Sequence, residues 1–242
     1  MILKVFKLRS HEQGSVLTII LVAVALFAAL MYTFTRTANQ GTSDTSTHGK
    51  NILAVSEIMD YAKDIERAID RAISGGCSES ELSFDNPLAA GYVNADSPVD
   101  KSCHIFNAAG GGITWQSLSG DINDGSEGLF QAEAQIQDIG ETNFDSQSVD
   151  LTLLFFGLKK SACEQINKNL GYNLTSVPIN DGSYVSAVKF TGSFAYTEDI
   201  NGLAAAPNPS PCPGGLCGRS SGCFQEESVG QRYVFYHTLL AR

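Results

Sequence analysis

With 242 residues, the chain is long enough for one domain with its own core and short for two. Its formal net charge of -10, from 26 acidic against 16 basic residues with no basic run, argues against a nucleic-acid partner, which rewards a basic surface. The rest of the composition is that of an ordinary globular domain with a Gly, Ser, Asn and Thr bias.

Residues 1–14, MILKVFKLRSHEQG, form a short basic head carrying Lys4, Lys7 and Arg9. Behind it, Ser15 to Phe34 is apolar and uncharged, broken only by Ser15, Thr18 and Thr33. As a helix its length is roughly 30 Å, the thickness of a bilayer's hydrocarbon core, so a transmembrane helix is predicted over 15–35. Only Arg36 stands close behind it, and the positive-inside rule then places residues 1–14 in the cytoplasm and the remainder outside. Ordinary signal cleavage fits poorly. The run is longer than a signal's apolar region, and the small-residue pattern Ala23-Val24-Ala25 lies inside it rather than after it.

A basic leader ending in Gly with the apolar run starting at once follows a different rule. Gln13-Gly14-Ser15-Val16-Leu17-Thr18-Ile19-Ile20-Leu21-Val22 resembles the processing site of type IV pilins and type II secretion pseudopilins. The resemblance implies cleavage between Gly14 and Ser15 by a membrane prepilin peptidase. It also implies a helix that anchors the subunit in the bacterial inner membrane and later packs in a filament core, with other pilin-like subunits and the assembly machinery as partners. Most major pilins carry Glu at the fifth mature position, where this chain has Ile19. A buried carboxylate is costly unless paired, and its absence resembles a minor, tip subunit with no neighbour above it.

Residues 36–50 are polar and turn-rich, a flexible stretch in which a helix would be weak. The domain proper is expected over 51–242, on the periplasmic or extracellular side. From Asn51 to Ser74, apolar residues at three- and four-residue steps (Ile52, Val55, Ile58 or Met59, Ala62, Ile65, Ile69) predict an amphipathic helix. Acidic residues load its first half, Arg67 and Arg71 its second, and Gly75-Gly76 supplies a C-cap. Ser78 to Ser117 reads as a loop ending in Gly110-Gly111-Gly112, which lacks the Gly-Lys-Ser/Thr of a phosphate cradle. Strands are predicted at Gly112–Leu118, Leu129–Ile139, Val149–Leu158, Tyr184–Tyr196 and Arg232–Ala241, with a short helix over Lys159–Leu170. Asn123-Asp124-Gly125 and Asn180-Asp181-Gly182 mark turns. The expected fold is α+β: a long N-terminal transmembrane and amphipathic helix packed on an antiparallel sheet, pilin-like and stapled by disulfides.

All six cysteines, Cys77, Cys103, Cys163, Cys212, Cys217 and Cys223, follow the apolar run, and an even count in an exported domain reads as three disulfides. Cys77 and Cys103 bracket the loop and are the favoured pair. The resemblance to type IVb pilins implies that Cys163 joins one of Cys212, Cys217 or Cys223. A zinc knuckle at Cys212-Pro-Gly-Gly-Leu-Cys217 lacks its second pair, and Asp121-Ile-Asn123-Asp124-Gly125 puts Gly at the fifth position of a calcium loop rather than the sixth. No metal or cofactor is expected. The four histidines are scattered, His104 merely adjoins Cys103, and His237 reads as half-exposed in a strand, so no catalytic set is expected. Pro207, Pro209, Pro211 and Pro213 mark an exposed contact loop. Two non-enzyme readings follow: a filament subunit processed at Gly14, or an uncleaved, signal-anchored bitopic protein with a periplasmic binding domain.

Overall fold

The computed structural model describes residues 13–136, 138–140, 149–180, 187–196, 198–200, 215–216, 218–227 and 230–242, with the backbone alone described at 13–17, 33–48 and 198–200. Cys212, Cys217, the turn at Asp181-Gly182 and the proline-rich loop lie outside the described residues.

The chain divides into two compact units, Met1–Gly49 and Lys50–Arg242. In the first, the described backbone is helical and belongs to helix α1 (Gln13–Ser74). Helix continues through residues 36–50, where the polar composition predicts a weak one. Each side chain from Thr18 to Tyr32 is exposed. Among the described residues, no helix is long and apolar enough to cross a membrane.

In the second unit, α1 buries Ala54, Val55, Ile58, Tyr61, Ala62, Ile65, Ala68, Ile69 and Ala72, a stripe at three- and four-residue steps that forms one side of the main core. Asp60, Lys63, Asp64 and Arg71 stay outside, which lets one helix face enter the core without burying charge. Gly76, at φ 106°, closes the helix, and the Cys77 amide donates back to the Ala72 carbonyl at 3.1 Å. A 3-10 turn follows at Glu79–Glu81.

Six strands form one sheet: β1 (Gly128–Ile136), β2 (Asp150–Leu158), β3 (Ile179–Asn180), β4 (Glu198–Ile200), β5 (Ser221–Glu226) and β6 (Arg232–Leu240). Their order is β3-β5-β6-β2-β1-β4. The four central strands pair antiparallel, but β1 with β4 and β3 with β5 pair parallel. The expected fold is therefore corrected. The sheet is mixed rather than antiparallel, and no membrane-crossing helix is found among the described residues. Period-two alternation reveals that a segment is a strand and leaves its direction open. Both parallel strands are two- or three-residue edge pieces with too little alternation to read.

Two further strand expectations change. Residues 112–118 form no strand, and 187–196 form none either but lie beside β1, bent at 191–192 and attached through Phe190 N to Phe130 O at 2.8 Å and Ala195 N to Ala132 O at 3.0 Å. Helix α2 (Lys160–Asn169) buries Ala162, Cys163, Ile166 and Asn167.

Both faces of the sheet are packed. Phe130, Leu151, Leu153, Phe155 and Phe235 join the α1 side, while Leu154, Phe156, Phe224, Val234 and Tyr236 form a second, smaller core on the other. In β2 one extra residue intrudes between the pairs Phe155–Phe235 and Leu158–Tyr233, so Leu158 returns to the α1 side. Gly157, at φ 67°, makes that bulge.

Candidate functional site

The sequence points to three places: the Gly14–Ser15 junction, the cysteines and the histidines. Gly14 and Ser15 fall in the first turn of α1, where only the backbone is described. Behind them, Ile19, Ile20, Leu21, Val22, Val24, Leu26 and Phe27 are each 57–64% exposed. Isolated exposed apolar residues are ordinary, but a contiguous exposed apolar helix surface marks a place where lipid or protein attaches.

Cys77 is bonded to Cys103, and Cys163 to Cys223. The second bond sits below α2. There the Asn167 side chain both donates to the Cys223 carbonyl at 2.8 Å and accepts from the Cys223 amide at 2.9 Å, like a rung of backbone pairing. The first ties the end of α1 to the loop that follows it. Gly110 and Gly111 press onto this loop so closely that a Cβ would stand 2.3 Å from the His104 carbonyl oxygen and 2.6 Å from that of Ile105. Gly110 and Gly111 thus serve backbone-to-backbone packing, while Gly112, open to space, takes a positive φ of 68°.

His104 stands beside a sulfur already committed to Cys77, and burial lowers its pKa, against the opposing field of Asp85. At the loop suggestive of calcium, the Lys159 ammonium donates to the carbonyls of Gly120 at 3.0 Å and Asp121 at 2.7 Å, while Asp124 accepts from both the amide and the hydroxyl of Ser126. A lysine therefore supplies the positive charge to these carbonyls. No group of three metal-ligating side chains occurs among the described residues.

His237 gives the clearest departure from expectation. Read as half-exposed, it is 4% exposed, because β6 is a central strand and α1 covers that face. Its Nε2 lies 2.9 Å from the Glu66 carboxylate on α1 and its Nδ1 2.5 Å from Ser221 Oγ on β5. A neutral ring protonated at Nε2 satisfies both contacts: it donates to Glu66 and accepts the Ser221 hydroxyl proton. Burial lowers the His237 pKa, and the hydrogen bond and charge of Glu66 only partly oppose this.

This row has the atom types of a serine–histidine–carboxylate relay with the exposure reversed. Glu66 keeps 42% of its side-chain surface, whereas Ser221 is buried beneath the sheet's neighbours. A nucleophile needs the hydroxyl to face substrate, and here it faces the core. What the row does is bind α1, β5 and β6 together across 171 residues of sequence. Sequence reading missed it because Glu66 sits on the polar margin of α1 and nothing near His237 signals a partner.

No family model, curated protein or solved structure matches the chain.

Proposed function

We propose that the chain is a pilin-like or pseudopilin-like structural subunit of a bacterial type IV pilus or type II secretion-type filament, in a minor or tip position, and not an enzyme. The observation that carries this reading is the exposed apolar surface from Ile19 to Phe27 directly behind the Gly14–Ser15 junction. Apolar area of this extent is stable in water only when covered, at about 25 cal/mol per Å². Before assembly, inner-membrane lipid covers it, with residues 1–14 cytoplasmic and the Lys50–Arg242 unit on the periplasmic side. After assembly, the same segments of other subunits cover it. Prepilin peptidase makes the transition possible by cutting after Gly14. Ile19, 64% exposed and uncharged, offers no partner to a neighbouring terminal amine, which supports the minor or tip position.

The mature N-terminus tests the reading. Protein recovered from membranes of cells containing the peptidase should begin at Ser15, and deletion of the peptidase should leave Met1 in place. Met1 retained in both strains overturns the proposal and leaves an uncleaved, signal-anchored bitopic protein.

A further inference from the structure

The two described disulfides differ in what can reach them. Cys163 and Cys223 are both 0% exposed, with Cys163 Sγ held 3.9 Å from the Phe224 carbonyl. Cys77 and Cys103 line a cleft of about 450 Å³, together with Arg71, Gly76, Glu81 and Ser102. Within that pair Cys103 is 2% exposed and Cys77 half-buried, so an attacking sulfur meets Cys77 first.

We propose that this cleft is a thiol–disulfide exchange site at which a dithiol reduces Cys77–Cys103 while Cys163–Cys223 stays closed. The incoming thiolate attacks Cys77 Sγ and forms a mixed disulfide, and the electron pair of the broken S–S bond leaves on Cys103 as a thiolate. Ser102 Oγ, 3.9 Å from Cys103 Sγ, stabilises that leaving group by turning its hydroxyl from Asp100, which it holds at 2.7 Å in the oxidised form. Arg71, in the same lining, adds positive potential and is fixed by donating to the Gly111 carbonyl at 3.2 Å. The dithiol's second sulfur then attacks the dithiol's own mixed-disulfide sulfur and releases Cys77 as a thiolate. Two protons from the dithiol end on Cys77 and Cys103, so the chain gains two electrons and the dithiol becomes a disulfide.

Exchange here is local. With the sulfurs apart, the Cys103 backbone stays in place: Ser83 N still donates to Cys103 O at 3.1 Å, Ile105 N to Ser83 O at 2.9 Å and Gly111 N to His104 O at 2.9 Å. The site is independent of the proposed filament role.

The test treats the folded full chain with dithiothreitol, quenches with an alkylating reagent at intervals and maps the labelled peptides. Cys77 and Cys103 should be labelled at least roughly tenfold faster than Cys163 and Cys223. Brief exposure of the disulfide-bonded chain to reduced glutathione, a single thiol, should leave the adduct on Cys77 and a free thiol on Cys103. Ser102→Ala should slow opening of the first pair several-fold and leave the second unchanged. Equal rates for both pairs, no reduction while the fold persists, or an adduct on Cys103 each overturn the proposal.

Discussion

His237 shows how one side chain can tie folding to pH. Neutral in the fold, with its pKa lowered mainly by burial, it regains an ordinary pKa of about 6.5 when unfolded. Below that value the unfolded chain binds the proton that the native chain refuses, so stability present at neutral pH is lost as pH falls. Asp150 acts in the opposite sense. Buried, and accepting from the amides of Ile136 at 2.9 Å and Arg242 at 3.1 Å, it has its pKa raised to about 6, chiefly by desolvation. Its contribution is complete below about pH 4 and is lost as pH rises through about 6. The two effects partly cancel in the intact protein, so the histidine is isolated by comparison with His237→Phe. Between pH 7 and 5, urea unfolding should show wild-type stability falling relative to the variant, and a pH-independent difference would refute the assignment. The row itself is illegible in sequence, because its acid and base stand 171 residues apart and Ser221 opens a six-residue strand with too little apolar alternation to read.

At the scale of elements, legibility followed the length of the pattern. The α1 stripe from Val55 to Ile69, the long strands β1, β2 and β6, and helix α2 each carry enough periods to be read. Residues 112–118 alternate as a strand would, yet the alternation serves a different end. Trp115 enters a ring cluster with Phe106 at 5.2 Å and Phe130 at 5.9 Å, while the Gln116 amide donates to Tyr61 Oη at 3.2 Å instead of to a ladder. The bulge in β2 escaped reading for a related reason, since a single Gly inside an apolar run does not announce which strand pairs slip. Its geometry is specific: an added Cβ at Gly157 would stand 2.1 Å from Asp124 Oδ1, and the residue lies at φ 67°. Around it, Asn123 Nδ2 donates to the Phe156 carbonyl at 2.6 Å and Asp124 N to that of Gly157 at 3.0 Å. Gly157→Ala must therefore strain the backbone and displace the 119–126 loop together. A loss of about 2–4 kcal/mol is expected in denaturant titration. A change below about 0.5 kcal/mol would show that the bulge does not hold this loop.

For the whole molecule, the two units place opposite demands on their surroundings. Among the described residues, every side chain of the main core comes from Ala54 onward, within the Lys50–Arg242 unit. Cys163–Cys223 closes a separation of 60 residues within that unit, worth about 4 kcal/mol on the loop-entropy relation, and Cys77–Cys103 closes 26. A chain starting at Lys50 should therefore fold alone, keep both disulfides and run as a monomer. It loses one part of α1, but the buried stripe that orders the rest of the helix remains. Its cooperative melt should lie within about 3 °C of the full chain's second-unit transition, since the described core residues all remain. The full chain should require detergent or lipid to remain dispersed, because Ile19 to Phe27 present apolar surface that water cannot cover favourably. Size-exclusion chromatography with light scattering separates the two behaviours. A full chain that is monomeric in plain buffer would remove the attachment surface on which the filament reading rests, whereas a misfolded Lys50–Arg242 chain would instead show that the first unit contributes to the fold.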